Sequence, residues 1–330
     1  MATYKGIKGV KVQSRASDPT ASEATGTVWY NTATSALKYS INAGAAWSSG
    51  AAMNTARMAE GNAGVSSSSA QVAGGYTGPP PTGRNYTEQY NGTAWTEVAN
   101  MNTTRFFKAG CGTLTAALIM GGDVPGGARS RATEKWDGTS WSTTGDLNSL
   151  IQNAGAFGIT TAAVKVGGTS GGAETETYNG STWSVANNLT TARNSLGTAG
   201  ITTAGLAFGG SPPGTVTETW DGTSWAETQD LNTARGGGGS GGTQTAAMMA
   251  TGAVVPTEAN TVNVEIWDGS SWSETSNVAT GRYRVGCCRN AGAGITTNSI
   301  VFGGNTPTPV TGITEEFADP AYTIKTVTVS

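Results

Sequence analysis

Two stretches of this chain carry side chains suited to recognition: Tyr76, Arg84 and Tyr86 in one, Arg129 and Arg131 in the next. Aromatic rings stack on sugars, and the planar guanidinium fork matches a carboxylate. Catalytic chemistry is harder to assemble. The 330 residues include no His, so the commonest general base, the commonest metal ligand and the Ser-His-Asp triad are all missing. Paired carboxylates remain as candidate glycosidase groups, because Glu134, Glu174, Glu176, Glu218 and Glu265 all precede turns. Their recurrence in register argues for a structural role, so no catalytic residue, metal site or cofactor is expected. Of three Cys, Cys111 and Cys288 each lie six residues after an Arg, where other units hold Ala63, Ala199 and Gly241. They read as small buried filler. The adjacent pair Cys287-Cys288 is poor geometry for a bridge.

A strict period positions these residues. Five times a Trp is followed ten residues later by an Arg: Trp47–Arg57, Trp95–Arg105, Trp183–Arg193, Trp225–Arg235 and Trp272–Arg282. Trp141 keeps the spacing but has Ile151 in the Arg slot. A period of 42 to 48 residues signals stacked units. Within a unit the pattern predicts four short strands. A small-residue strand follows the Arg, and an apolar strand then ends in Gly-Gly, as at Gly74-Gly75, Gly121-Gly122, Gly167-Gly168, Gly209-Gly210 and Gly303-Gly304; Thr251-Gly252 stands in the fifth unit. A third strand ends in an aromatic and an Asn-Gly or Asp-Gly, for which a type I′ turn is expected. That turn would set Trp136 opposite Thr139, with Trp136 and Trp141 as diagonal neighbours on one face.

Four antiparallel strands repeated every 40-odd residues make a propeller blade. The Gly-Gly doublet, the aromatic-Asp/Asn pair (Trp136-Asp137, Tyr178-Asn179), the Trp five residues on and the Arg opening the next unit together resemble the kelch repeat, over about residues 38–318. The variant "Thr-Glu-x-Trp/Tyr-Asp-Gly-Thr-Ser-Trp", followed by "Leu-Asn-Thr-Ala-Arg", looks like kelch-like proteins of tailed bacteriophages. Gly26 to Asn31, with Leu37-Lys38-Tyr39, is similar to a β-hairpin module of phage tail and fibre proteins. The expected fold is therefore all-β: an attachment segment with a hairpin (1–36), a kelch-like propeller (37–318) and a C-terminal strand tail (319–330). Six blades are favoured, with the strand around Trp47 completing the last. Counting Leu37–Asn42 and Tyr322–Val329 as blade strands gives nearly seven.

On a propeller, the loops between second and third strands share a face with the crossings between blades. The length variation, including Tyr76–Tyr86 and Asp123–Ala132, falls on that face, where recognition usually sits. The repeated Arg57, Arg105, Arg193, Arg235 and Arg282 lie near it. They either ring the central opening or pair with carbonyls or a Glu of their own blade. Some kelch-type propellers are copper oxidases, which need His ligands. Asp137-Gly138-Thr139-Ser140-Trp141 resembles a sialidase Asp box only superficially, because the box separates Asp from Gly.

What the resemblance implies is a virion protein assembled in the host cytoplasm: a tail-fibre-like adhesin binding host-surface glycan or protein, and gripping other virion proteins through its N-terminal segment. A purely structural head-decoration or tail-adaptor role is the alternative, and a glycan-cleaving propeller a remote one. With net charge −3 there is no basic stripe for nucleic acid. Apolar runs such as Ala116 to Met120 are too short to span a membrane. Met1 to Lys5 shows no apolar signal region. Lys5, Lys8, Lys11 and Arg15 make the first 20 residues mildly basic.

Overall fold

A computed structural model describes residues 12–19, 28–42, 46–58, 61–78, 82–169, 172–212, 214–288, 298–306, 309–318 and 322–327. Lys5, Lys8 and Lys11 lie outside the described residues. The described chain is all-β, with four-stranded antiparallel sheets repeated in a propeller-like arrangement. It divides into two bodies, 1–45 with 319–330, and 46–318.

In the larger body the fourth sheet shows the pattern: Gly197–Ile201, Ala204–Phe208, Thr217–Trp220 and Trp225–Glu227 pair in sequence order. The other sheets begin at Asn62–Ser66, Ala109–Thr113, Gly155–Ile159, Gly239–Thr243 and Gly286–Cys288. The last takes its outer strand from the other end of the chain. Ala46–Gly50 pairs with Thr314–Ala318, placing Trp47 opposite Phe317.

The third-to-fourth turn differs from the sequence expectation. Trp136 pairs directly with Trp141, not with Thr139, and the rings lie 5.4 Å apart. Only Gly138 has positive φ, so the two-residue I′ turn is replaced by a four-residue loop. The Asp137 carboxylate makes that loop, accepting the N–H groups of Thr139 and Ser140 at 2.8 Å. An Asp side chain that mimics a turn in this way competes with the tight hairpin. Asp221 and Asp268 repeat the arrangement.

Each sheet is organised by a buried charge pair. Arg57–Glu88, Arg105–Glu134, Arg193–Glu218 and Arg282–Glu315 meet at 2.5, 3.0, 2.7 and 2.7 Å, and Arg235 pairs with Glu265. Burial pushes the guanidinium pKa down at Arg57, Arg105, Arg193 and Arg235, and the facing carboxylate opposes it. The same carboxylates accept backbone N–H groups of the segment leading to the Arg, as Glu265 does from Asn232 at 2.7 Å. The Asn232 side chain also bonds the Trp272 carbonyl, which accounts for the Leu-Asn-Thr-Ala-Arg motif.

The third sheet lacks the Arg yet keeps the buried Glu. There Lys165, wholly buried opposite Glu176, brings its Nζ within 3.7 Å of the carboxylate. The other sheets hold Val72, Ile119, Ala207, Met249 and Val301 opposite their Glu. Cation and aliphatic residue have exchanged places.

Neighbouring sheets are joined by two repeated bonds. The second Gly of each doublet donates its N–H to the carbonyl of the next Arg slot, from Gly75 to Arg105 (3.0 Å) through Gly252 to Arg282 (2.9 Å), and from Gly304 to Arg57 (3.0 Å). A Cβ on Gly74, Gly167 or Gly209 would lie 2.7 Å from that carbonyl, and each has φ near +65°. Thr251 takes this conformation too, with φ of 58°, held by its hydroxyl, which accepts from the Arg282 N–H at 2.9 Å. The second bond runs from indole to hydroxyl: Trp95, Trp141, Trp183, Trp225 and Trp272 donate to Thr314, Thr87, Thr133, Thr175 and Thr217 of the preceding sheet. Trp47 would meet Val264 there and donates to the Ser276 carbonyl instead. Each such bond contributes about 1 kcal/mol net.

The smaller body is described by itself. Its sheet runs Gln13–Arg15, Val28–Asn31, Ala36–Asn42, Tyr322–Thr326, with the first pair parallel. Leu37–Asn42, placed in the propeller from sequence, pairs here with Tyr322–Thr326, expected as a C-terminal strand. Asp18 accepts from Trp29, Asn31 and Lys38, and the Lys38 bond leads in holding its carboxyl below the usual range.

The exchange in the third sheet is testable by a double-mutant cycle. Lys165→Ile leaves Glu176 buried without a cation and is expected to cost about 3–5 kcal/mol in urea unfolding. Ile151→Arg crowds two cations onto one carboxylate and is also destabilising. The double variant is expected near wild type; additive losses would contradict the compensation.

Candidate interaction site at the cavity rim

The first strands of the repeated sheets line a shared cavity. One end of it is formed where the chain turns from the Arg slot into the first strand. The residue two after the slot is Phe107, Asn153, Ser195, Gly237 or Arg284, and all five have φ between 54° and 65°. Each hands a backbone bond to its neighbour. Asn153 N–H donates to Phe107 O (2.8 Å), Ser195 to Asn153 (2.8 Å), Gly237 to Ser195 (2.7 Å) and Arg284 to Gly237 (2.6 Å). The corresponding residue of the first sheet, Ala59, lies outside the described residues. For a non-Gly residue this left-handed conformation costs roughly 1–2 kcal/mol. The hydrogen-bonded rim holds it and projects four different side chains around the opening.

Those side chains gather others. The Arg284 guanidinium lies 4.0 Å over the Phe107 ring and 5.6 Å from that of Tyr283. Phe107 meets Phe106 edge-on at 5.0 Å, and Tyr76 packs on both, at 5.6 and 6.0 Å. Phe106 exchanges backbone bonds with Asp123, and Asp123 forms a bridge with Arg129. The Asp123 carboxyl is buried. With its amide turned to satisfy both groups, Gln152 donates to the two Asp123 oxygens at 3.2 and 2.7 Å. Burial raises the Asp123 pKa, opposed by Arg129, Arg284 and the two Gln152 donors. Close by, Asn153 Oδ1 is buried without a hydrogen-bond partner.

The residues singled out from sequence separate into groups. Tyr76 and Arg129 join this cluster. Arg84 lies 5.8 Å over the Tyr86 ring, on the strand pair Ser69–Thr77 and Thr82–Tyr90. That pairing corrects the expectation of a loop: Tyr76 sits opposite Gly83 and Gly75 opposite Arg84 in register. Arg131 points elsewhere, its exposed guanidinium 3.7 Å from Asp146. The five repeated Arg do not ring the opening. They are buried against Glu, the other arrangement expected for them. Cys111, Cys287 and Cys288 are buried on the cavity wall, where desolvation pushes the Cys111 thiol up to about 12 and raises that of Cys288.

Phe106, Phe107, Asp123, Gln152 and Arg284 were missed from sequence. A signal was present: the slot two after the Arg is chemically diverse, while the Arg and Gly-Gly slots around it are uniform. The assembled groups are aromatic faces, guanidinium donors and amide or carboxylate acceptors, a set suited to binding. Among the described residues no three His, Cys, Asp or Glu side chains converge as metal ligands, and no helix is long and apolar enough to cross a membrane. No protein-family model and no curated protein matches the chain.

Asp123 gives a pH signature. Its raised folded pKa means that ionisation disfavours the folded state, so the penalty is absent at low pH and enters as pH rises through the carboxyl range. Asp123→Asn is expected to gain in urea midpoint over wild type between pH 3 and pH 7. A constant difference across that window would contradict the assignment.

Proposed function

We propose that this chain is a six-bladed kelch-like β-propeller that serves as a virion component of a tailed bacteriophage and attaches to the host surface through the cavity rim. The ring reading is supported by the bond from Gly304 to Arg57, which repeats between the last and first sheets the contact made by every other neighbouring pair. The indole bond from Trp95 to Thr314 spans the same seam. The pairing of Ala46–Gly50 with Thr314–Ala318, from opposite ends of the chain, supports the same reading.

The observation that carries the binding role is the convergence of Tyr76, Phe106, Phe107 and Asp123 beside Arg284, which lines the cavity. The sheets elsewhere repeat the same residues in the same slots, whereas the rim places unlike chemistry on a rigid, hydrogen-bonded frame. The virion assignment rests on the resemblance of the repeats and of the N-terminal hairpin to phage proteins. Docking to other virion proteins is ascribed to the N-terminal segment.

The test is binding of the purified full chain to intact candidate host cells. Saturable binding is expected, weakened at least about tenfold by Tyr76→Ala, a loss of roughly 1.4 kcal/mol or more, with folding verified by circular dichroism. A folded wild-type chain that shows no saturable binding would contradict attachment and favour a purely structural place in the particle.

A further inference from the structure

We propose that the third sheet carries a self-condensation site, at which the Lys165 amine and the Glu176 carboxylate join as an amide and release one water. The first argument is the nucleophile. In five sheets the buried Glu faces an Arg, whose delocalised guanidinium keeps its proton and does not attack carbon. The third sheet supplies a primary amine instead, wholly buried and directly opposite Glu176 in register. Desolvation lowers the Lys165 pKa against the attraction of Glu176 and Glu174, and a desolvated amine is an activated lysine nucleophile.

The second argument is geometry. Lys165 Nζ lies 3.7 Å from Glu176 Oε1, and neither atom has a hydrogen-bond partner. An ion pair held this way keeps the desolvation cost of two charges with little hydrogen bonding in return, whereas an amide removes both charges. The other carboxylate oxygen is held. Glu176 Oε2 accepts the backbone N–H and the side-chain amide of Asn148, both at 2.8 Å. Two donors on that oxygen stabilise the negative charge it gathers when nitrogen adds to the carboxyl carbon. Oε1, free of such bonds, is the oxygen that leaves.

The third argument is a proton path. Glu174 Oε2 lies 3.9 Å from Nζ, and its side chain is partly exposed. The ion pair first transfers one ammonium proton to Oε1. The nitrogen then attacks the carboxyl carbon, Glu174 takes a second proton from the nitrogen and returns it to Oε1, and the bond from carbon to Oε1 breaks. The products are a secondary amide between the paired strands and one water. Folding delivers the ion pair, and the amide forms from it with time.

The experiment is intact-mass and tandem mass spectrometry of the full chain, sampled over several weeks at neutral pH. Wild type is expected to lose the mass of one water, with fragment ions joining the segments that carry Lys165 and Glu176. Lys165→Arg keeps the cation and is expected to keep its full mass. Glu176→Gln is expected to lose ammonia in place of water. Glu174→Gln is expected to slow the wild-type loss at least about tenfold; an unchanged rate would overturn the relay. Full mass retained throughout by folded wild type would overturn the proposal. So would a loss of water that persists in Lys165→Arg, which would place it at another group, such as the Asp137-Gly138 turn.

Discussion

Each repeat depends on one buried position that faces two ways. The Arg side chain enters its own sheet and meets a Glu on the third strand, while its backbone carbonyl accepts the N–H of the Gly-Gly doublet from the sheet before. The carboxylate in turn accepts N–H groups from the segment that delivers the Arg. Strand, crossing and neighbouring sheet are thus tied at a single point. Ion pairs buried this deeply are weak contributors to net stability, because desolvation offsets the attraction. Their consequence is specificity: with the pair in place, one register of crossing against sheet sets each buried Arg against its Glu.

The third sheet shows that the constraint is the buried charge balance and not the Arg itself. Glu176 is retained, Ile151 fills the Arg slot, and Lys165 delivers a cation from the strand alongside. Lysine reproduces the charge but not the fork. Its Nζ, like Glu176 Oε1, is left without a hydrogen bond, whereas Arg193 also bonds the Ala207 carbonyl. Thr251 is a second local substitution of the same kind, a hydroxyl anchoring a conformation that Gly adopts freely elsewhere.

Much of this was legible because repeats average out local ambiguity. The Trp, Arg and Gly-Gly periods located the strands, and Trp47 was recognised as belonging with the last unit. The Asp-Gly turn was misread because the dipeptide alone favours a tight hairpin; the following Thr-Ser amides, captured by the Asp carboxylate, lengthen it. Lys165 was invisible because only register shows which residue lies opposite Glu176. The rim was missed for a related reason. Phe107 and Arg284 lie far apart in the chain and come to 4.0 Å only through the bonded frame of left-handed residues. Strain held in this way by a rigid surround is where function is commonly placed.

The central claim is that the repeats close on themselves, with the last sheet bonded to the first as every other pair is. Native-state hydrogen exchange at the Gly304 amide tests it most directly. The account predicts protection equal to that of Gly75, Gly168 and Gly210, lost only on global unfolding. Exchange of Gly304 at the rate of an exposed loop, with the other three protected, would show an open array and contradict the account.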